Sequence, residues 1–145
     1  FLKNKARKSS QRIEIRVFCA VIEGSSNCIG YYALKVGSDS VPEAEKRKRG
    51  YISNHVAFPA VHLSYIAVDE SYQRKGLGKF LLSDVFDKVY NISEMAGLFA
   101  LTLESINLDT TSFYKSIGFT EYEEGTNSPK MLIPILDIRK LIEGN

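Results

Sequence analysis

One stretch decides the fold, and it reads Val68-Asp69-Glu70-Ser71-Tyr72-Gln73-Arg74-Lys75-Gly76-Leu77-Gly78-Lys79. It lies between an apolar run over 61–68, which predicts a strand, and residues 76–90, whose apolar side chains recur at helical spacing. Two closely spaced glycines let a backbone approach a ligand, and the start of a helix presents unpaired N–H groups with partial positive charge. Three cations, Arg74, Lys75 and Lys79, add full charges, so the stretch predicts a cradle for a pyrophosphate. Its spacing matches neither the Walker loop nor the Rossmann motif, and a tight strand-to-helix turn without a ligand is the alternative.

Before this stretch, the chain predicts two paired strands. Residues 16–22 and 29–36 are rich in β-branched and aromatic side chains, and Gly24 to Asn27 favours a turn between them, which together predict a β-hairpin. Residues 37–59 are polar and basic, with Pro42 and Pro59 as breakers. We interpret them as a connection that contains a short helix over 42–49.

After the predicted helix, the chain indicates one more strand and helix, then two short strands. The nearly continuous apolar run over 98–103 is typical of a strand buried on both faces. Asp109 can cap a short helix that runs through Ser116 and ends at Gly118. Strands are predicted near 119–122 and 130–135, where Pro134 suits an edge strand. This order of elements predicts a mixed α/β sheet in a single domain, residues 1–145.

Composition excludes several classes of protein. The chain has 145 residues, of which 44% are hydrophobic and 25% charged, values typical of a soluble globular domain. No apolar stretch approaches the roughly 20 residues of a membrane helix, and no signal peptide is visible. A hairpin turn near Ser25 would pair Cys19 with a residue around Gly30 or Tyr31 and not with Cys28, so no disulfide is expected. We therefore expect a reducing, cytoplasmic location.

The net charge of +2 conceals a strong asymmetry. Residues 1–79 hold 14 Lys and Arg against 7 Asp and Glu, whereas residues 80–145 hold 5 against 10. The basic residues concentrate near the N-terminus, in Lys46 to Arg49, and in the decisive stretch. Such a distribution indicates either a polyanionic partner or simply a solvated face.

The pattern of a strand, Val68-Asp69, then Gln73, Gly76 and Gly78 before a helix resembles motif A of the GNAT acetyltransferases. The run Phe113-Tyr114-Lys115-Ser116-Ile117-Gly118-Phe119 is similar to a second motif of that family, at the expected distance. The resemblance spans roughly residues 19–135. It implies a GNAT fold of the α/β (α+β) class, with a mixed central sheet splayed at the motif A strand and helices on both faces.

The resemblance further implies acetyl-CoA as the cofactor. Its pyrophosphate would lie on the amides of 73–79, and its pantetheine arm would pair with the backbone of the motif A strand and contact Asn107. Tyr114 matches a tyrosine that many members place near the thioester sulfur, where a phenol can donate a proton to the departing thiolate; a core aromatic is the alternative. The implied cofactor-binding residues are Ile66, Ala67, Val68, Gln73, Arg74, Lys75, Gly76, Leu77, Gly78, Lys79 and Asn107, and no metal is implied.

Within the superfamily, the chain is most similar to the GNAT toxins of type II toxin–antitoxin systems. That similarity rests on Gly30 to Leu34, the basic segment Lys46 to Arg49, and Phe58 to Leu63. It implies acetylation of the α-amine of aminoacyl-tRNA, a block of translation, a ribbon-helix-helix antitoxin and a homodimer, and it suggests that part of an N-terminal helical segment is missing. Tyr65 stands where that group usually has arginine, which leaves substrate and toxicity open; Tyr65 could stack on a base or fill the core.

The general base is not evident from the sequence. His55 and His62 are the two histidines, and His62 or Glu104 could accept a proton, although a structural role suits either. An α-amine has a pKa of about 7.7 and a lysine side chain one of about 10.4, so an α-amine needs less help from a base to become neutral. This favours an α-amine substrate. The alternatives are an acetyltransferase for a small amine or a protein N-terminus, and a non-catalytic module that binds acyl-CoA.

Overall fold

The computed structural model describes residues 13–41, 57–123 and 127–144, which form a six-stranded mixed sheet and three helices. The strands are β1 (Arg16–Val21), β2 (Cys28–Asp39), β3 (Phe58–Val68), β4 (Ala100–Glu104), β5 (Thr120–Glu121) and β6 (Lys130–Pro134). The helices are α1 (Leu77–Met95), α2 (Leu108–Ile117) and α3 (Ile135–Glu143), and a single 3-10 turn covers Glu70–Tyr72. The strand order is β1-β2-β3-β4-β6-β5, and within it only β3 and β4 run parallel.

The predicted hairpin of β1 and β2 is confirmed. Cys19 lies opposite Tyr31, and both thiols are free. Strand β2 continues to Asp39 and strand β3 begins at Phe58, so the connection between them is shorter than the predicted 37–59. The short helix predicted over 42–49, the basic segment Lys46 to Arg49 and His55 lie outside the described residues.

Helix α1 forms where the apolar spacing predicted it and extends five residues farther, to Met95. Its buried side chains lie along one face, at Leu81, Leu82, Val85, Phe86 and Val89. That face packs on the sheet in the larger of two hydrophobic clusters, to which α2 and α3 also contribute. Because side chains alternate along a strand, the neighbouring residues of β3 and β4 point to the opposite face, where a smaller cluster contains Val41 and Tyr122.

Helix α2 begins earlier than the sequence predicted. Asn107, not Asp109, is the N-cap: its side-chain oxygen accepts from the Thr110 N–H at 2.9 Å, and the Thr110 hydroxyl accepts from the Asn107 N–H at 3.1 Å. This reciprocal pair satisfies two N–H groups at once, whereas a start at Asp109 would satisfy one. Gly118 ends the helix as predicted, with a φ of +125°.

The end of the chain differs from the prediction in two respects. Helix α3 was not predicted, because the apolar run Met131 to Ile133 leads directly into Pro134, and Pro134 serves as its N-cap. Strand β6 is not an edge strand, since β4 and β5 flank it. Pro134 is nevertheless tolerated, because β5 pairs with β6 only at Met131 and Leu132, so its missing N–H removes no ladder bond to β5. No helix within the described residues has both the length and the apolar character that crossing a membrane requires.

Candidate functional site

Strands β3 and β4 separate part-way along their length. Their parallel pairing covers Ala60 to His62 on β3 and ends at the pair of His62 with Thr102. On the other side of β3, the register with β2 shifts at the same level: Ala33 pairs with Tyr65, but Leu34 pairs with Leu63. Ser64 is therefore the extra residue of a β-bulge, and bulges bend a strand away from its neighbour. The sheet opens directly beyond this bulge, as the resemblance implied.

The opened edge of β3 carries backbone groups that β4 does not pair. The Asp69 N–H donates to the Ile29 carbonyl of β2, so by alternation the N–H and C=O groups of Ile66 and Val68 face the opening. Ala67 differs from the prediction in geometry, because its carbonyl faces β2, 3.2 Å from where a Cβ on Gly30 would lie. Of the three predicted residues, Ile66 and Val68 therefore offer backbone hydrogen bonds to an extended ligand in the opening, although the Val68 carbonyl also accepts from the Gln73 amide.

The loop after β3 turns sharply into α1. Arg74 and Gly76 both have left-handed backbones, with φ of +59° and +84°. The first described backbone bond of α1 is from Phe80 N–H to the Gly76 carbonyl at 3.0 Å, so the amides of 77–79 have no partner within the helix. Beyond the neighbouring backbone, no atom of the described residues lies within 4 Å of where a Cβ on Gly76 or Gly78 would be. The result is a concave set of N–H groups with room above it, which suits a pyrophosphate.

Two side chains of this loop are already occupied. The Gln73 amide donates to the Val68 carbonyl at 3.0 Å, and the Gln73 backbone N–H donates to Glu70 at 3.3 Å. The Lys75 ammonium lies 5.6 Å from the centre of the Tyr72 ring. Gln73 therefore holds the loop against the end of β3, while Arg74 and Lys79 have no hydrogen-bond or ion-pair partner among the described residues.

Tyr114 and Asn107 lie on the β4 side of the opening, through helix α2. Asn107 is exposed, and its side-chain oxygen is used by the cap, which leaves its NH2 group for a ligand. Tyr114 is 8% exposed, and its ring lies edge-to-face with Phe113 and Phe119. Burial raises the pKa of Tyr114, so its hydroxyl keeps its proton at neutral pH. No hydrogen-bond partner of that hydroxyl is found among the described residues.

The opposite face of the opening holds a cavity of about 560 Å³, hereafter the β3–β4 cavity. His62, Ser64 and Tyr65 of β3 and Thr102 and Glu104 of β4 contribute to its wall. The remaining lining residues come from the chain before β1, from β2, and from the region of β5 and β6: Glu14, Ile15, Lys35, Asp39, Leu63, Leu103, Tyr122 and Lys130. Tyr65 is 43% exposed there, which contradicts a core role for it.

His62 and Asp39 are two perturbed ionisable groups of this cavity, and burial together with Asp39 raises the pKa of a third, Tyr122. The His62 Nδ1 atom shares a hydrogen bond with the Thr102 hydroxyl. Burial lowers the pKa of His62, and Lys35 and Lys130 add to this, while Asp39 opposes it. Burial raises the pKa of Asp39, but hydrogen bonds from Tyr122 and the Ser40 N–H and the charge of Lys130 outweigh it, so the net pKa is lowered. The cavity therefore contains a neutral imidazole and an ionised carboxylate at neutral pH.

Sequence reasoning missed most residues of this cavity, including Lys35, Asp39, Ser64 and Tyr122. One signal was available: Ser64 and Thr102 are polar residues inside strands predicted from apolar runs. A polar side chain in a buried strand either forms a hydrogen bond within the protein or faces a cavity where water or a ligand can bond to it.

A comparison with family models matches residues 16–121 to the acetyltransferase (GNAT) domain. This match covers most of the chain. The chain belongs to the GNAT acetyltransferase family. Its opened sheet and glycine loop are the family features that the motifs predicted.

Several of the similar proteins are toxins of the GNAT family. A probable toxin TacT of Sinorhizobium fredii is 27% identical over 149 residues, which cover 98% of this chain and 81% of that protein. A tRNA-acetylating toxin of Mycobacterium tuberculosis is 30% identical over 131 residues, which cover 83% of this chain and 76% of that protein. A solved structure of AtaT complexed with acetyl-methionyl-tRNAfMet has a TM-score of 0.84 at 25% identity, covering 98% of this chain and 84% of that one.

Proposed function

We propose that this GNAT chain is an acetyl-CoA-dependent N-acetyltransferase that modifies the α-amine of aminoacyl-tRNA and thereby blocks translation. The observation that carries the proposal is the similarity to a tRNA-acetylating toxin at 30% identity over 83% of the chain. The AtaT complex supports it, because that relative holds an acetylated aminoacyl-tRNA on the same fold. The basic first half of the sequence is consistent with a polyanionic substrate.

The glycine loop would hold the cofactor. Acetyl-CoA supplies an activated acetyl group when it is bound. The amides of Leu77, Gly78 and Lys79 and the positive end of α1 would neutralise its pyrophosphate, with Arg74 and Lys79 adding charge. Ile66 and Val68 would pair with the pantetheine arm, and the Asn107 NH2 group would donate to it. Gln73, Lys75 and Gly76 would act mainly by shaping the loop, and Ala67 could contribute only its methyl group.

Tyr114 would act on the departing sulfur. Its hydroxyl is protonated at neutral pH, since burial raises its pKa, and it has no competing partner among the described residues. It can therefore donate a proton or a hydrogen bond to a thiolate as it forms. The amine would approach from the β3–β4 cavity, on the opposite face of the sheet from α1.

The chemistry of the acceptor fits an α-amine. A lysine side chain has a pKa of about 10.4 and is almost wholly protonated at pH 7, whereas an α-amine with a pKa of about 7.7 is partly neutral. An α-amine therefore reacts without a strong base. The proton acceptors that line the described part of the cavity include the neutral His62 imidazole and the Asp39 carboxylate.

The test is incubation with labelled acetyl-CoA and aminoacylated total tRNA, with deacylated tRNA as the control. We expect label in the charged RNA only, released by mild alkali as N-acetyl amino acids that mass spectrometry identifies. Label on a ribosomal or other protein N-terminus, with none on RNA, would instead support an acetyltransferase for protein N-termini. A chain that binds acetyl-CoA and transfers no acetyl group would be a binding module.

The same proposal extends to partners and location. We propose an antitoxin of the ribbon-helix-helix class, a homodimer and a cytoplasmic location. Co-expression with the neighbouring reading frame, followed by gel filtration with light scattering, measures both the complex and the mass of the toxin alone. A monomeric mass at micromolar concentration would contradict the dimer.

A further inference from the structure

Few aliphatic side chains line the β3–β4 cavity. Leu63 and Leu103 line it, but their side chains belong to the hydrophobic cluster under α1, so they offer the cavity mainly backbone. Ile15 is the remaining aliphatic lining residue among those described, and it is 7% exposed. The other lining side chains carry hydroxyl, carboxylate or ammonium groups or an imidazole, and two of them, Tyr65 and Tyr122, also contribute aromatic rings.

Glu104 is the polar group of this wall that is freest to meet a ligand. It ends β4, directly beyond the point where β3 and β4 separate, and it is exposed. Lys130 lies opposite it in the ladder, but the Lys130 ammonium is 3.8 Å from Asp39 and 3.4 Å from Glu123 instead. Glu104 therefore has no hydrogen-bond or ion-pair partner among the described residues.

Ser64 adds a second unsatisfied group. It is the bulged residue of β3, and its hydroxyl is buried without a hydrogen-bond partner among the described residues. A buried hydroxyl without a partner costs free energy until water or a ligand group satisfies it. The exposed Glu104 carboxylate and the buried Ser64 hydroxyl line the same cavity, one on each of the separating strands.

An aliphatic ligand would bind here at a disadvantage. It would displace water from carboxylate and hydroxyl groups without replacing the hydrogen bonds. Sites built from such groups discriminate strongly against ligands that lack the matching polar atom, whereas apolar pockets discriminate weakly.

We propose that the β3–β4 cavity selects aminoacyl groups whose side chains form hydrogen bonds, over aliphatic, aromatic or absent side chains. This inference rests on the proposed function. Glu104 and Ser64 are the specificity-determining residues, and the α-amine enters between them toward the opening of the sheet.

The test measures product ratios on total aminoacyl-tRNA with limiting enzyme, by mass spectrometry of the released N-acetyl amino acids. We expect acetyl-serine, -threonine, -asparagine, -glutamine or a charged amino acid to dominate. Products dominated by glycine, alanine, methionine, branched aliphatic or aromatic amino acids would overturn the inference while leaving the proposed function intact. Absence of any acetylated aminoacyl-tRNA would overturn both.

A matched pair of variants separates polarity from charge and size. Glu104→Gln keeps a hydrogen-bonding side chain of the same length, whereas Glu104→Met keeps the length and removes hydrogen bonding. We expect Glu104→Met to raise the aliphatic-to-polar product ratio at least about tenfold, the lower scale of one lost hydrogen bond to a charged group, and Glu104→Gln to leave polar products dominant. Because the readout is a ratio, a general fall in rate does not affect it; identical ratios for the two variants would overturn the role of Glu104.

Ser64→Ala is the companion variant. Removing a hydroxyl that bonds to nothing in the fold should leave the melting temperature unchanged or raise it, while weakening the preference for polar products. Ser83→Ala, at an exposed position on α1, is the control and should change neither. A loss of stability in Ser64→Ala would show that its hydroxyl serves the fold and overturn its assignment to the ligand.

Discussion

The Tyr122 hydroxyl donates a hydrogen bond of 2.5 Å to the carboxylate of Asp39. Asp39 ends β2 and Tyr122 follows β5, and three strands lie between β2 and β5 in the sheet. The bond therefore ties the chain after β2 across the face of the sheet, where it forms one wall of the β3–β4 cavity. The Tyr122 ring is 2% exposed and packs against Phe58 at 6.1 Å, so the tie is fixed by packing as well as by charge.

Tyr122→Phe should remove the hydrogen bond between Tyr122 and Asp39 with little change in the shape of the side chain. The variant keeps the ring and leaves Asp39 with Lys130 and the Ser40 N–H as partners. A hydrogen bond to a charged group contributes about 1.5–3 kcal/mol, so we expect stability to fall by roughly that amount. The melting temperature would drop by about 3–10 °C, measured by circular dichroism. Tyr90→Phe, whose hydroxyl has no hydrogen-bond partner among the described residues, is the control; equal melting temperatures for the two variants would contradict the assignment.

Gly76→Asp should abolish acetyl-CoA binding. Gly76 has a left-handed backbone at φ +84°, and its Cβ would project into open space beside the amides of α1. Gly76→Asn is the matched control, because asparagine has nearly the same size and the same tolerance for that backbone, without the charge. A carboxylate facing a pyrophosphate repels it, so we expect calorimetry to give an affinity for Asp at least about tenfold below that for Asn. Equal affinities of the two variants for acetyl-CoA would contradict the assignment of the pyrophosphate to this loop.

Tyr114→Phe should separate chemistry from binding. Phenylalanine preserves the edge-to-face packing with Phe113 and Phe119 and removes only the proton donor. We expect turnover to fall at least about tenfold, and by about 100-fold if Tyr114 is a full general acid, with acetyl-CoA affinity unchanged. Turnover is measured by thiol release and affinity by calorimetry. Unchanged turnover would exclude Tyr114 from the mechanism.

The sequence predicted the elements whose signals are local. The alternation in β1 and β2, the helical spacing of α1 and the apolar run of β4 all lie within about a dozen residues, and their elements formed as predicted. The N-cap of α2 and the whole of α3 were wrong or missed. In each case two local signals competed: Asn107 and Asp109 can both cap a helix, and Pro134 can end a strand or begin a helix.

The candidate site likewise has one part with a local signal in the sequence and one part without. The glycine loop is contiguous in sequence, so residues 73–79 could be predicted as a unit. The β3–β4 cavity could not, because it depends on the point where β3 and β4 part and on Asp39 meeting Tyr122 across three strands. Neither strand separation nor a contact between residues 83 positions apart leaves a periodic signal in the sequence.

His62 should make stability depend on pH. Burial lowers the pKa of folded His62 below its ordinary 6.5, so in that range the unfolded chain binds more protons than the folded one. Stability therefore rises with pH through this window and is lost as pH falls below about 6.5. We expect His62→Gln to flatten the melting temperature between pH 5 and about 7.5, relative to the parent chain. Asp39 has a lowered pKa, so its contribution to stability changes with pH only below its ordinary pKa of 3.8, outside this window. Parallel pH profiles of melting temperature for His62→Gln and the parent chain would contradict the prediction.

The basic segment Lys46 to Arg49 should carry part of the affinity for tRNA. Replacing all four residues with Gln removes four positive charges. If each charge neutralises one phosphate, the slope of log affinity against log salt should fall by about 3–4, and affinity at low salt should fall most. Filter binding of charged tRNA at several salt concentrations measures both quantities.

A charge-matched comparison decides whether the position of these charges matters. Lys46→Gln with Lys48→Gln changes the net charge by the same amount as Lys115→Gln with Lys140→Gln. Lys115 and Lys140 are already paired with Glu121 and Asp137, at 2.7 and 3.2 Å, in the acidic half of the sequence. We expect the first pair to lower the salt slope by about 1.5–2 and the second to leave it nearly unchanged. Equal effects would mean that the chain responds to net charge alone, and the basic segment would then be a solvated surface.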